Sequence, residues 1–181
     1  MGTEARQGRG QWLNPSAALQ RFQRPPGLSS GSPAAVTPAQ QIRYGFRVGN
    51  LGLLIGAMTI SEVMEPLPIY PIPLTPSWLL GLVNLRGSLA PLFDLKQLLE
   101  LTGEPQDKAM LLVLDRGERA VGMFIDGLPQ TPELSRPLSR LPPLPAALRP
   151  YATRAYVHGG MVWVEFDHSG FFQAVSARLT T

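Results

Sequence analysis

Alternation of apolar and polar residues predicts the first strand of the folded part of the chain. Between residues 42 and 48 every second position is apolar, which is the period of a strand with one buried face. The apolar positions are Ile42, Tyr44, Phe46 and Val48, and the alternate positions are Arg43, Gly45 and Arg47. After a turn at Gly49-Asn50, the run 51–60 is apolar on both faces and contains Gly52 and Gly56, which predicts one curved, central strand.

Prolines dominate the next part of the chain. Five of them between residues 66 and 76 prevent regular strand pairing, so this stretch predicts an extended crossing segment that brings Trp78 to the core. The range 79–92 then predicts two strands that meet at Arg86-Gly87. Pro91 is expected to end the second of these strands.

One short helix, two hairpins and a closing helix are predicted after residue 93. Asp94 is the expected N-cap of the short helix, in which Leu95, Leu98 and Leu99 share a face, and Gly103 is expected to end it. The predicted hairpins pair 109–114 with 119–125 about Asp115–Glu118, and 154–158 with 161–166 about Gly159-Gly160. A proline-broken arm over 129–150 is expected to cross between half-domains, and the closing helix carries Phe171, Val175 and Leu179.

The number and length of these elements indicate an all-β fold. Short strands joined by frequent turns agree with the 19 prolines and 18 glycines of the chain. About eight to ten strands and two short helices fit two small β-barrels better than one sandwich. A parallel sheet would need connecting helices that the pattern does not contain.

Composition separates an N-terminal leader from the folded part. Residues 1–40 are rich in Gly, Pro, Ser, Gln and Ala, which predicts a disordered leader, and residues 41–181 are expected to form the domain. Residues 12–22 could form a short helix, but an unstructured leader is preferred over a docking segment. The leader carries the net charge of +3, so the folded part is neutral and a nucleic-acid partner is disfavoured.

The sequence also indicates the cellular compartment and whether the chain enters a membrane. The chain has no cysteine, which excludes disulfides, thiolate metal sites and cysteine nucleophiles and fits a reducing, cytoplasmic compartment. Its first residues have no apolar signal region, and the long uncharged run after residue 65 is interrupted by prolines. We therefore expect no membrane insertion.

The sequence offers little catalytic chemistry. His158 and His168 are the two histidines, and neither has a partner at metal-ligand spacing. Neither a phosphate-binding loop nor a Gly-x-Ser-x-Gly nucleophile elbow is present. The acidic residues Asp94, Asp115, Asp126 and Glu165 are interpreted as cap, turn and turn-flanking residues. The many apolar strands favour a binding protein. A hydrolase that uses acidic residues on a small barrel is kept as the alternative.

Arg86 is the one charged residue between Pro66 and Phe93. A guanidinium in such a stretch has to reach solvent or find a carboxylate, because burying it unpaired costs several kcal/mol. Glu62 and Glu65 border the stretch, and Glu62 is the preferred partner because it shares a strand face with Ile60 and Met64. The competing interpretation is a surface arginine in the turn before Gly87.

The sequence around Arg86 resembles the CheW-like domain, the adaptor of bacterial chemosensory arrays. The matching residues are Trp78-Leu-Leu-Gly81-Leu-Val-Asn84-Leu-Arg86-Gly87, then Pro91 and Asp94-Leu95. Further likeness is found at Ile60-Ser-Glu62-Val63, at 117–122 and 125–127, and in the last hairpin and helix. The resemblance covers about residues 42–179.

The resemblance implies two five-stranded, SH3-like barrels packed around a shared core, without catalysis, cofactor or metal. The implied partners are the cytoplasmic tip of a methyl-accepting chemoreceptor and the regulatory domain of a CheA-type histidine kinase. By position, the implied receptor-binding residues are Glu62, Arg86, Met110 and Leu112, and the implied kinase-binding residues are Ile60 and Gly81. Met110 and Leu112 would line the groove between the barrels. The prolines before Trp78 and the long leader resemble adaptors of type IV pilus twitching systems, and the pathway stays open between these and flagellar chemotaxis.

Overall fold

The computed structural model describes residues 43–102 and 109–179. Several predictions therefore lie outside the described residues: the disordered leader, the helix over 12–22, the strand start at Ile42 and the helix end at Gly103. The strands are β1 (Arg43–Val48), β2 (Leu51–Gly56), β3 (Ser61–Met64), β4 (Ile69–Tyr70), β5 (Leu79–Leu85), β6 (Ser88–Phe93), β7 (Ala109–Leu114), β8 (Val121–Asp126), β9 (Ala152–His158) and β10 (Met161–Phe166). The helices are α1 (Leu95–Leu98) and α2 (His168–Ala177).

The first sheet is four-stranded, in the order β1-β2-β10-β9. The β9–β10 pair is one of the two predicted hairpins, and β1 pairs with β2 across the predicted turn at Gly49-Asn50. Strand β10 lies parallel to β2. At the outer edge of β1, Gly45 and Gln130 exchange two backbone hydrogen bonds of 2.7 and 2.8 Å. The start of the proline-broken arm thus adds one isolated bridge to the three strand pairings of this sheet.

Gly52 has a packing role that the sequence did not predict. It faces Trp163 across the β2–β10 ladder, and a Cβ at position 52 would lie 2.4 Å from the indole ring. Gly45, on the neighbouring strand, would place a Cβ 2.5 Å from the same ring. The two glycines therefore leave the space that the buried Trp163 occupies.

The second sheet is six-stranded, in the order β3-β7-β8-β6-β5-β4. The prediction of one strand over 51–60 is wrong, because β2 ends at Gly56 in the first sheet. Residues 57–60 form a turn that leads to β3 in the second sheet. A run that is apolar on both faces carries no period from which this break could be read.

Two boundaries in the second sheet also differ from the prediction. Pro91 lies inside β6, opposite Leu82, and does not end the strand. It is tolerated there because parallel pairing with β8 begins only at Leu92. The β7–β8 hairpin turns through a short 3-10 segment, Gly117–Arg119, so the second strand starts at Val121 rather than at residue 119.

Glycine positions in the turns are confirmed. Gly117, Gly159 and Gly160 have φ angles of 61°, 60° and 74°, the left-handed region that favours glycine. Asp94 caps α1 as predicted, since its carboxylate accepts from the amides of Lys96 and Gln97. The closing helix is also present, but it ends at Ala177, and Leu179 lies beyond it with 38% of its surface exposed.

The hydrophobic core joins the two sheets through the helices. Phe171, Phe172 and Val175 of α2 and Leu95 and Leu98 of α1 are buried in one cluster with residues of both sheets. Trp78 packs against this cluster and stacks on Phe93, with ring centroids 6.1 Å apart. The crossing segment thus delivers Trp78 to the core, as predicted.

These observations confirm a mostly β fold with short helices. In the described part of the chain the ten strands divide as four and six rather than five and five. The strands at the two ends of each sheet are not paired with one another, so neither sheet closes into a complete barrel by backbone hydrogen bonds.

A buried carboxylate ties the two halves of the fold together. Asp126 at the end of β8 accepts from the Lys96 ammonium at 2.7 Å and from the Gly49 amide at 2.6 Å. It is 6% exposed and connects the β7–β8 hairpin to α1 and to the β1–β2 turn. This residue was predicted to flank a turn, and its structural partners come from distant parts of the chain.

Candidate functional site

Arg86 lies at the tip of the β5–β6 hairpin. It has a φ of 53° and is followed by Gly87 with a φ of 95°, which is the pattern of a type I′ turn. The first position of that turn favours Asn, Asp or Gly, and left-handed backbone costs other residues roughly 1–2 kcal/mol. Arg86 therefore combines a strained backbone with a side chain that is 82% exposed.

Glu62 on β3 forms the predicted ion pair with Arg86. The Arg86 Nη2 donates to Glu62 Oε1, and the Glu62 side chain is 47% exposed. Asn84 supports the turn, because its Oδ1 accepts from the Gly87 amide at 2.7 Å. Because both side chains of the ion pair are exposed, both are accessible to a partner. An exposed pair of this kind contributes at most about 1 kcal/mol to stability.

The ion pair borders a cleft of about 480 Å³ between β3 and the β5–β6 hairpin. The apolar residues of the cleft belong to one small core cluster of the second sheet or pack against it. They are Met64, Leu67, Leu85, Val113 and Ala120. Polar residues of the rim are Glu62, Asn84, Arg86, Ser88, Asp115 and Arg116. The site therefore combines an apolar interior with charged groups at its mouth.

Two carboxylates border this cleft, and the hydrolase alternative would require two carboxylates that converge in a concave site. Each has a partner: Glu62 pairs with Arg86, and Asp115 lies 3.4 Å from His168 Nε2 on α2. Of the other acidic candidates, Asp94 caps α1 and Glu165 lies 3.2 Å from Arg43. Among the described residues, no group of three or more His, Asp or Glu side chains could hold a metal ion.

The two predicted kinase-binding residues have different surroundings. Ile60 precedes β3 and is 45% exposed, and its carbonyl oxygen accepts from the Asp115 amide at 2.9 Å. Gly81 is buried in β5 with a φ of 139°, and the backbone of Tyr70 and Pro71 lies directly over it. Gly81 therefore positions the crossing segment, and Tyr70, 56% exposed, is the surface at this point.

Met110 and Leu112 were predicted to line a groove between the barrels. Leu112 is 1% exposed and belongs to the main core, whereas Met110 is half-buried and packs against it. Neither lines the cleft at Arg86. The open groove position predicted for Leu112 is thus not observed, because β3 and β8 flank β7 and the side chain of Leu112 faces the interior.

Sequence reasoning did not identify the Asp115–His168 contact or the role of Asp115 as a wall of the cleft. Asp115 has a φ of 62°. Together with His168 it also lines a second cleft of about 420 Å³. The two residues are 53 positions apart, and no pattern along the chain joins a hairpin turn to a helix start.

Within 43–102 and 109–179, no helix is long and apolar enough to span a bilayer.

Comparison with known proteins relates this site to a family. The model of the CheW-like domain matches residues 44–176. The chain is 30% identical over 128 residues to Chemotaxis protein CheW of Helicobacter pylori, a match that covers 70% of this chain and 76% of that protein. It is 29% identical over 155 residues to Protein PilI of Pseudomonas aeruginosa, covering 80% of this chain and 86% of that protein.

A solved structure has the same fold. The scaffolding protein TtCheW of Thermoanaerobacter tengcongensis matches with a TM-score of 0.57 and 17% identity, over 74% of this chain and 92% of that chain. Residues 44–176, which the family model matches, contain the Glu62–Arg86 pair, the cleft and all ten strands apart from Arg43 at the start of β1. The chain therefore belongs to the CheW-like domain family.

Proposed function

We propose that this protein is a non-catalytic adaptor that couples chemoreceptors to a CheA-type histidine kinase in a chemosensory system. The observation that carries the proposal is the exposed Glu62–Arg86 pair at the mouth of an apolar cleft, in a chain of the CheW-like domain family. Exposed charged groups beside apolar surface are the composition of a protein-binding site. The hydrolase alternative has no support from the relatives of the chain.

Each partner is assigned its own residues in the proposal. The receptor tip contacts Glu62 and Arg86 directly, and it contacts Met110 through the half-buried side chain; Leu112 supports this strand from the core. The kinase regulatory domain contacts Ile60 and the surface that Gly81 positions. The protein uses neither cofactor nor metal, binds no nucleic acid, and works in the cytoplasm beside membrane-bound receptor arrays.

The pathway is proposed only at the level of chemosensory signalling. The relatives include a chemotaxis protein and the PilI protein, so both flagellar chemotaxis and pilus-based twitching motility fit the family. Calorimetry with a cognate receptor tip and with a kinase regulatory domain tests the coupling role. Binding to both is expected, and absence of binding to either partner overturns the proposal.

Arg86→Ala is expected to weaken binding of the receptor tip about tenfold or more while the fold is retained. The pair with Glu62 is exposed, so its loss changes the free energy of unfolding by about 1 kcal/mol at most. Arginine is enriched among the interface residues whose truncation costs about 2 kcal/mol or more in affinity. Titration calorimetry and urea unfolding measure the two effects.

Arg154→Ala is the matched control, because Arg154 is an exposed arginine on β9 in the other sheet. This variant should bind the receptor tip like the unmodified protein. If Arg86→Ala unfolds the protein, or if it binds as tightly as Arg154→Ala does, the assignment of Arg86 to receptor binding is wrong.

Ile60→Asp is expected to weaken binding of the kinase regulatory domain and leave receptor binding unchanged. A carboxylate at a contact that buries an apolar side chain loses its hydration without a partner. The backbone bond from Asp115 to the Ile60 carbonyl does not depend on the side chain, so the fold is retained. Met58→Asp, at the 95% exposed Met58, is the control, and equal loss for both variants would contradict a specific role of Ile60.

A further inference from the structure

The β3 strand is an edge strand beside the cleft. It stands at the end of the six-stranded sheet, where β7 is its one hydrogen-bonded neighbour within the described part of the chain. Ser61 and Glu62 are exposed, and Val63 and Met64 are half-buried. An edge strand presents unpaired backbone groups to which another strand can bond.

The hydrogen-bonding phase of the ladder identifies those backbone groups. In an antiparallel pair, residues that exchange bonds with the partner strand alternate with residues whose N–H and C=O point away from it. The Asp115 amide donates to the Ile60 carbonyl, and the same register places Glu62 opposite Val113. Glu62 is thus bonded towards β7, and the backbone groups of Ser61 and Val63 point towards the open edge.

The side chains of β3 define what can lie beside this edge. Glu62 and Met64 both face the cleft, two positions apart on one side of the strand. In the register that uses Ser61 and Val63 of two copies of this chain, the two Glu62 carboxylates would lie directly opposite each other. Like charges in that position are destabilising, so a second copy is the wrong occupant.

We propose that the β3 edge binds an extended segment of a partner protein as an added antiparallel strand. Its residue opposite Met64 is apolar and enters the cleft, and its residue opposite Glu62, two positions later, is lysine or arginine. The basic residue takes the place of Arg86 on the Glu62 carboxylate. Pro66 and Pro68 follow β3 closely, so the recognised segment is short.

This inference deepens the proposed function, since it places an extended partner segment at the Glu62–Arg86 cleft, and it rests on that function for the biological partner. The binding itself is tested with synthetic peptides and needs neither receptor nor kinase. A failure of peptide binding would leave the calorimetric result with the two protein partners unchanged, so the two failures are distinguishable.

The test uses the full chain and an acetylated, amidated peptide with the sequence Ser-Thr-Leu-Thr-Lys-Thr-Ser. In the expected register Leu lies opposite Met64 and Lys lies opposite Glu62. The amide signals of Ser61 and Val63 should shift in nitrogen-15 correlated NMR spectra, and their hydrogen exchange should slow. The same peptide with an N-methyl group on the Thr between Leu and Lys keeps its side chains, but its backbone nitrogen can no longer donate to the Val63 carbonyl and the methyl group obstructs the ladder, so it should bind at least tenfold more weakly.

A charge exchange tests the second part of the recognition. A peptide with Glu in place of Lys should bind the unmodified protein more weakly, and it should bind the Glu62→Lys variant more tightly than the Lys peptide does. Circular dichroism establishes that Glu62→Lys is folded. The proposal is overturned if the Lys peptide does not bind, if the N-methylated peptide binds equally well, or if the perturbed amides lie outside β3 and the cleft.

Discussion

Gly81→Ala is expected to destabilise the protein by about 3 kcal/mol or more. The Cβ would lie 2.3 Å from the carbonyl oxygen of Tyr70 and 2.9 Å from the Cα of Pro71, and these are backbone atoms that cannot rotate away. The φ of 139° at this position adds strain for any residue with a side chain. Urea or thermal unfolding measures the loss.

Gly87→Ala is the control for this effect. Gly87 also has a positive φ, 95°, but nothing lies within 4 Å of the position that a Cβ would take. This variant should lose only about 1 kcal/mol, the cost of the backbone conformation. Equal stability of Gly81→Ala and Gly87→Ala would contradict the close packing of the crossing segment on β5.

The Gly81 variant also bears on kinase binding. Because Gly81 presents no side chain to solvent, we expect any weaker kinase binding of Gly81→Ala to follow the displacement of Tyr70 and Pro71. Tyr70→Ala should then weaken kinase binding without the large loss of stability. A Gly81→Ala protein that stays fully folded but fails to bind would indicate direct contact at Gly81 instead.

Asp126→Ala is expected to lower the free energy of unfolding by about 2–4 kcal/mol. The change leaves the Gly49 amide without its acceptor and the Lys96 ammonium without its counter-charge. The Lys96 side chain is 31% exposed and can regain water, so the loss stays below that of a fully buried pair. Asp126→Asn, which keeps an acceptor oxygen, should lose less.

A double-mutant cycle with Lys96→Ala isolates the pair. The coupling between Asp126 and Lys96 is expected to be favourable, and the remaining loss belongs to the bond with the Gly49 amide. Glu118→Ala, at an exposed carboxylate of the β7–β8 turn, is the control and should change stability by less than about 0.5 kcal/mol. If Asp126→Ala behaves like Glu118→Ala, the carboxylate does not hold the two halves together.

Local signals were sufficient for the turns and caps of the fold. Asp94 at the start of α1 and Gly159-Gly160 in the last hairpin were predicted from neighbouring residues alone, because capping and left-handed turns are decided within a few positions. The same reasoning failed at Pro91, whose tolerance depends on where β8 pairs with β6. It also failed for the run 51–60, whose apolar pattern does not show that β2 ends at Gly56 and that a turn follows.

The Glu62–Arg86 pair was predicted because few alternatives exist. A single charge in an apolar stretch has to find a carboxylate or water, and Glu62 and Glu65 were the nearest candidates. The structure chose Glu62 since β3 crosses beside the β5–β6 hairpin. The cleft itself, with Val113, Asp115 and Ala120 on its walls, could not be predicted, because its walls come from strands that are distant in sequence.

The sequence by itself determined the mostly β class, the hairpin turns, the N-cap of α1 and the residues that resemble the CheW-like domain. These depend on local backbone preferences and on the spacing of apolar residues, which are visible along one chain. Only the tertiary structure decided the division into sheets of four and six strands, the space that Gly45 and Gly52 leave for Trp163, and the partners of Asp126 and Asp115. Each of these contacts joins residues far apart in sequence, and steric fit between packed strands selects them without leaving a periodic pattern in the chain.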